Sequence, residues 1–315
     1  MTAVVPVAKV LVSYWYYKDV DLDEMCEAFP GTVLLFGDSG GFSAYTQGVS
    51  ISVNDYAAWV RRWSHRLTNY ANLDAIRDVD ATAANQRALE AMGLAPLPVF
   101  HAGSPMAELE PLLDAYPYVA LGGLVGGPAD PTMRFAAECF RRAKRTGTVF
   151  HGFGLTRHKL LVSLPWFSVD SSSWGGGHRF GRVPLWDERT HKFVAVSVGD
   201  PQSVFRYGRL IRQHGVDPND LADRTRYHQR HAIAVAAVAW QKYEQSIRLV
   251  HGPVELPNSS AGLHLYLAEG SSANILNMAS GLHLYLAGAP STTKLCLDGI
   301  ATSEYLQTGT RRVKT

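Results

Sequence analysis

Val33-Leu-Leu-Phe-Gly-Asp-Ser-Gly-Gly-Phe42 is an apolar run that breaks into a carboxylate, a hydroxyl and two glycines. The run reads as a buried strand, and the glycines as the turn that carries the chain away from it. The same pattern recurs between Lys9 and about Asp200, at Val10–Tyr16, Leu73–Arg77, Leu97–Phe100, Tyr118–Leu121, Thr148–His151, Phe167–Val169 and Phe193–Val198. Amphipathic segments separate these runs. Alternation of strand and helix predicts βα units around a parallel sheet, and eight strands predict a closed (β/α)8 barrel of the TIM type.

The helices carry start signals with a mechanism. Ser52 stands three residues before Asp55 as an N-cap, and Val53, Tyr56, Ala57, Val60 and Leu67 form one apolar face behind it. Ser104-Pro105 and Asp130-Pro131 each set a side-chain acceptor before a proline at a first helical position. After Asp170 the chain runs through Ser171 to Arg182 without helical periodicity, which predicts a long irregular loop of functional interest. Residues 1–200 are therefore expected to form the barrel, and 201–315 a helical extension whose longest element is Leu221–Val250, with Ala232, Ala236, Trp240 and Tyr243 on one side. Gly262-Leu-His-Leu-Tyr-Leu-Ala268 recurs as Gly281–Ala287; two short copies do not make a solenoid.

Composition narrows the classes. The chain has 315 residues, 46% hydrophobic and 18% charged, which excludes a disordered or fibrous protein. Its apolar stretches are too short to span a bilayer, and Met1–Val10 lacks a secretory pattern, so a cytoplasmic location is expected. A net charge of +2 confines any nucleic-acid surface to local patches. Cys26, Cys139 and Cys296 are isolated, which suits a reducing compartment and offers neither a disulfide framework nor a thiol zinc site.

In a parallel barrel the reacting groups stand at the carboxyl ends of the strands. Six expected strands end there on Asp38-Ser-Gly-Gly-Phe42, Asp78-Val-Asp80, His101, Gly122-Gly123, His151-Gly152 and Asp170-Ser-Ser-Ser-Trp174. Each has an ordinary alternative. Asp38 could cap its own glycine turn, Asp78 or Asp80 could cap the helix that begins near Thr82 (the cap suiting Asp80 better), and the histidines and glycines could serve packing. No amphipathic helix follows Asp170, so a capping role fits it less well. Several carboxylates at one rim without metal-ligand spacing suit glycosyl transfer, in which one acid attacks and another moves a proton. That chemistry calls for no cofactor and no metal. The glycine-rich stretch Gly175–Arg182 could hold phosphates through its backbone amides and through Arg179 and Arg182.

These residues resemble the tRNA-guanine transglycosylase superfamily over roughly Val10 to Arg182. The most specific pieces are Asp38-Ser-Gly-Gly-Phe42, Leu121-Gly-Gly-Leu124 with Val125-Gly126, and Asp170-Ser-Ser-Ser-Trp174. The resemblance implies a retaining pentosyltransferase in which Asp170 is the nucleophile on C1′ and Asp38 the acid-base group. It implies further that Asp78, or less well Asp80, reads the base, that His101 replaces a base-reading glutamine, and that Gly122 and Gly123 offer backbone groups to the ring. His151 and Phe42 join them as candidate base contacts. The chain lacks the Cys/His zinc subdomain of the tRNA enzymes, and so looks most like the phage and bacterial branch that inserts 7-deazaguanines into DNA.

The expected partners are therefore DNA, with tRNA as the alternative, together with free guanine and a 7-deazaguanine. A homodimer is left open and no membrane is involved. A target base must leave the stack to reach such a site, with Trp174 or Phe42 as stacking partners. Arg179, Arg182, Arg226 and Arg230 are the candidate nucleic-acid contacts, the last two read as sharing one helix face. A non-catalytic partner subunit that only positions nucleic acid, and a glycoside hydrolase, are the competing classes.

Overall fold

The computed structural model describes residues 7–27, 32–170, 181–226, 229–252, 254–256, 264–266 and 283–285. Strands β1 (Val7–Ser13) and β2 (Thr32–Asp38) pair in parallel from Val7↔Thr32 to Ser13↔Asp38. β3 (Leu67–Tyr70), β4 (Val99–His101), β5 (Tyr118–Gly122), β6 (Val149–Gly152) and β7 (Ser168–Val169) follow. Between them run helices that include Val53–Arg62, Val79–Ala91, Leu109–Ala115 and Ala129–Ala143. The protein is thus a mixed α/β molecule built on a parallel sheet. No helix among the described residues is long and apolar enough to cross a membrane.

The helices form for the reasons their sequences suggest. Ser52 Oγ accepts the Asp55 N–H, and Tyr56, Ala57 and Val60 on the helix behind it are fully buried. Leu67, read as part of the same face, belongs to β3 instead. Pro105 leads into a short 3₁₀ turn before Leu109–Ala115, while Ala129–Ala143 begins ahead of Asp130 and leaves that residue in its first turn.

Strand alternation sends side chains to two cores. Val10, Val12, Leu35, Val119, Leu121 and Phe150 pack against the helices, whereas Leu11, Phe36, Ala71, Leu97, Val99, Tyr118, Ala120, Val149 and Phe167 meet on the opposite face. The second group draws on strands from the whole width of the sheet. Its two edges, β3 and β4, also touch just beyond their ends: Asn72 N–H donates to Leu97 O at 2.9 Å, and Leu97 N–H to Tyr70 O at 2.8 Å.

Three strands differ from expectation, the first in that Val10–Tyr16 gives way after Ser13 to a helical turn at Tyr14–Tyr17. Leu73–Arg77 is a loop, and the strand that pairs with β2 is Leu67–Tyr70. Side chains hold the loop: Asn72 donates to Thr82 O, Thr82 Oγ1 accepts the Ala75 N–H, and Arg77 adopts a left-handed φ of 65° that a strand excludes. Phe193–Val198 is no parallel strand either. All of it but Val198 lies within β9 (Lys192–Ser197), antiparallel to β8 (Arg182–Asp187). Asp187 accepts the Arg189 N–H and the Thr190 hydroxyl, closing a tight local turn in place of a long crossover.

Beyond Asp200 three short helices (Pro201–Arg206, Gly208–Gln213, Pro218–Ala222) precede the long one, which begins at Gln229 and ends at His251. The segment is not wholly helical. Both copies of the repeated Gly-Leu-His-Leu-Tyr-Leu-Ala stretch contain strands, β10 (His264–Tyr266) and β11 (His283–Tyr285). They pair with each other in identical register, β10 against β7 and β11 against β1, and so complete the order β3-β2-β1-β11-β10-β7-β6-β5-β4. Because the two copies carry the same residues in the same register, a single copy is expected to join β7 to β1. Deleting residues 262–280, one period of the repeat, is expected to leave a chain with a single cooperative urea transition; loss of that transition would show that both copies are needed.

The long helix is tied to β1 by buried charges. Lys9 Nζ lies 3.4 Å from Glu244 Oε1, and Arg248 Nη2 lies 3.2 Å from the same oxygen. Desolvation pulls the Lys9 ammonium down and pushes the Glu244 carboxyl up to about 7, each opposed by attraction to the other. A carboxyl raised in the folded state contributes its full stability below its ordinary value near 4.5 and loses it as the pH climbs to about 7. Glu244→Gln is therefore expected to remove a decline of up to about 3 kcal/mol over that window, read from urea unfolding at stepped pH. Parallel curves for the two proteins would contradict it.

Candidate active site

The face that carries the smaller core also carries the acids and histidines. Asp38 stands two residues after Phe36, His101 two after Val99, Gly122 two after Ala120, and His151 two after Val149, so the pleat turns all four to that side. Asp170 follows Ser168 at the end of β7 in the same way.

Asp170 is 2% exposed, and its surroundings explain how a carboxylate is tolerated there. Oδ1 accepts the Gly154 N–H at 2.7 Å and lies 3.3 Å from His151 Nε2. Gly154 has a left-handed φ of 63°, and a side chain there would strike Val125. Among the described residues Oδ2 takes no hydrogen bond. His151 is fully buried, stacked on Phe36 at 4.8 Å with Phe153 edge-on at 4.6 Å, so its ring is not available to a base. The ring, expected as a base contact, is placed against Asp170 and Phe36. Burial holds the imidazole below its usual pKa, against the pull of Asp170.

The Asp38 turn forms by close backbone approach. Asp38 Oδ2 accepts the Gly40 N–H at 2.9 Å, the capping contact its sequence suggested. Gly40 is left-handed with a φ of 72°, and a Cβ on it would collide with Ser13 and Trp15. A Cβ on Gly41 would collide with the Asp74 carbonyl oxygen. Gly41 thus lets the end of β2 settle against the loop that holds Asp74.

Asp74 is the residue that sequence reading missed. His101 Nε2 lies 2.9 Å from its Oδ2, and the Thr82 hydroxyl donates to its Oδ1 at 3.1 Å. Desolvation raises the Asp74 pKa, opposed by His101 and the Thr82 bond. Asp78 lines one cleft with Asp74, Gly41 and Tyr45. Asp78, not Asp80, caps the helix, accepting the Ala81 N–H at 2.9 Å, and Asp80 lies exposed in its first turn. The missed signal was a carboxylate inside a segment read as a buried strand, which a strand interior rarely carries unpaired.

Gly122 and Gly123 have distinct uses. A Cβ on Gly122 would lie 2.9 Å from the His101 ring, so its absence makes room for the Asp74–His101 pair; Gly123 has a φ of 74°. Phe42 is 67% exposed. Arg182 opens β8 and is exposed. Arg226 precedes the long helix and pairs with Asp220 at 2.8 Å, so it shares no helix face with Arg230, whose side chain lies outside the described residues. Trp174 and Arg179 also lie outside them. No group of three or more His, Cys, Asp or Glu side chains that could hold a metal ion occurs among the described residues.

Comparison with models of known protein families and with curated proteins gives no match to this chain.

The contact at Gly122 can be isolated. Gly122→Ala is expected to cost about 1–3 kcal/mol through overpacking, and in a His101→Ala background much less, because the ring it strikes is gone. Equal costs in both backgrounds, measured by urea unfolding, would mean the clash lies elsewhere.

Proposed function

We propose that this protein is a base-exchanging glycosyltransferase of the tRNA-guanine transglycosylase superfamily, acting on guanine in DNA. The observation that carries the reading is Asp170: a carboxylate with one oxygen held by donors and the other unengaged, at a strand end on the face that also bears Asp38 and His101. We further read the sheet as a closed barrel. The hydrogen bonds that join β3 to β4, and a core fed by strands across the sheet, support that reading.

In this mechanism Asp170 Oδ2 forms a bond to C1′ while the C1′–N9 bond breaks, and the electron pair leaves with the guanine. Protonated Asp38 delivers a proton to the departing base. The incoming 7-deazaguanine gives its ring N–H proton to Asp38 and attacks C1′, displacing Asp170 and restoring the β configuration. A neutral acid suits the first step and its carboxylate the second. The Asp74–His101 pair, with a carboxyl raised by burial and an imidazole beside it, takes the base-reading role first given to Asp78. A binding-only partner has no use for two acids and an oriented histidine on one face.

Incubation of the protein with labelled guanine and either DNA or tRNA tests the reading. Label is expected in DNA, together with a denaturation-resistant DNA adduct, and Asp170→Asn is expected to abolish the adduct and lower exchange by about 10³-fold or more. Label in tRNA alone would move the substrate to RNA. Absence of label and adduct with both would reject the function.

A further inference from the structure

The hydrogen bonds beneath Asp170 continue past His151. His151 Nδ1 lies 2.6 Å from Ser168 Oγ, and Ser168 Oγ is in turn hydrogen-bonded to the Tyr118 hydroxyl. Tyr118 sits on β5, His151 on β6, Ser168 and Asp170 at β7, so the chain of contacts crosses three adjacent parallel strands. Ser168 and His151 are 0% exposed and Tyr118 is buried with Phe167 edge-on at 5.0 Å. Water has no ready access to these bonds, and each hydrogen must point in one direction for all of them to be made.

Resting on the proposed transglycosylase reading, we infer that Tyr118, Ser168 and His151 form a one-way donor relay that positions Asp170 and selects Oδ2 as the attacking oxygen. Tyr118 O–H donates to Ser168 Oγ, Ser168 O–H donates to His151 Nδ1, and His151 Nε2–H donates to Asp170 Oδ1. The argument runs from acceptors. An ionised Asp170 only accepts, so His151 must donate through Nε2; a neutral ring then accepts at Nδ1, where the Ser168 hydroxyl lies at 2.6 Å to donate. Ser168, having given its hydrogen, accepts from Tyr118. Burial favours the neutral ring, as the depressed His151 pKa requires. Gly154 N–H and His151 both fall on Oδ1, which withdraws that oxygen from reaction and leaves Oδ2 to meet C1′. Tyr118, Ser168 and His151 are positioning residues, since none need touch the substrate.

Two measurements test the relay. In ¹⁵N NMR of the full chain, His151 is expected as the neutral Nε2–H tautomer at pH 7 to 8, independent of any activity. An imidazolium, or an Nδ1–H tautomer in the wild type, would overturn the inference. In the exchange assay Ser168→Ala is expected to lower the rate of adduct formation about 10- to 100-fold with the KM for DNA little changed. Tyr118→Phe is expected to show a weaker form of the rate effect, and Ser168→Thr, which restores the hydroxyl, to recover most of the rate. Wild-type exchange left unmoved by Ser168→Ala would sink the relay alone, whereas the expected tautomer in a wild type that exchanges no base would sink the functional reading and leave the relay as structure.

Discussion

A carboxylate taken out of water needs donors, and the site is organised around that need at Asp170. One backbone amide, from Gly154, and one imidazole, from His151, supply them. The amide is in reach because Gly154 turns left-handed at the end of β6, and the imidazole because β6 and β7 run in parallel with His151 beside Ser168. A buried polar group is costly unless it is hydrogen-bonded, so the register of these two strands is what makes the placement of Asp170 possible.

The same constraint shapes the other side of the site by a different route. Asp74 is held by His101 and Thr82, and His101 has room for its ring because residue 122 lacks a side chain. Gly41 brings the end of β2 against the Asp74 backbone, and Gly40 brings it against Ser13 and Trp15. Glycine acts here as absent volume as much as backbone freedom. A motif of paired glycines next to acids is therefore both a packing device and a condition for the chemistry proposed.

Much of the site was readable in the chain. Asp38, His101, His151 and Asp170 end apolar runs, and the period of two that makes a strand also sends them to one face. Strand positions failed where side chains intervened: Asn72 and Thr82 hold Ala75 and its neighbours in a loop, and Asp187 closes a hairpin that draws Phe193–Val198 into an antiparallel pair. The repeated Gly-Leu-His-Leu-Tyr-Leu-Ala stretch showed no purpose as sequence, and as structure it supplies the strands between β7 and β1.

Local patterning alone determined which segments become strands and helices and which acids end them, because alternation, caps and glycine turns act over a few residues. The tertiary structure decided the partnerships: Asp74 for His101, Asp170 for His151, and β10 and β11 for the place between β7 and β1. These depend on distances between residues far apart in the chain, set by strand register and by the volume left open at glycine, which no short window of sequence contains.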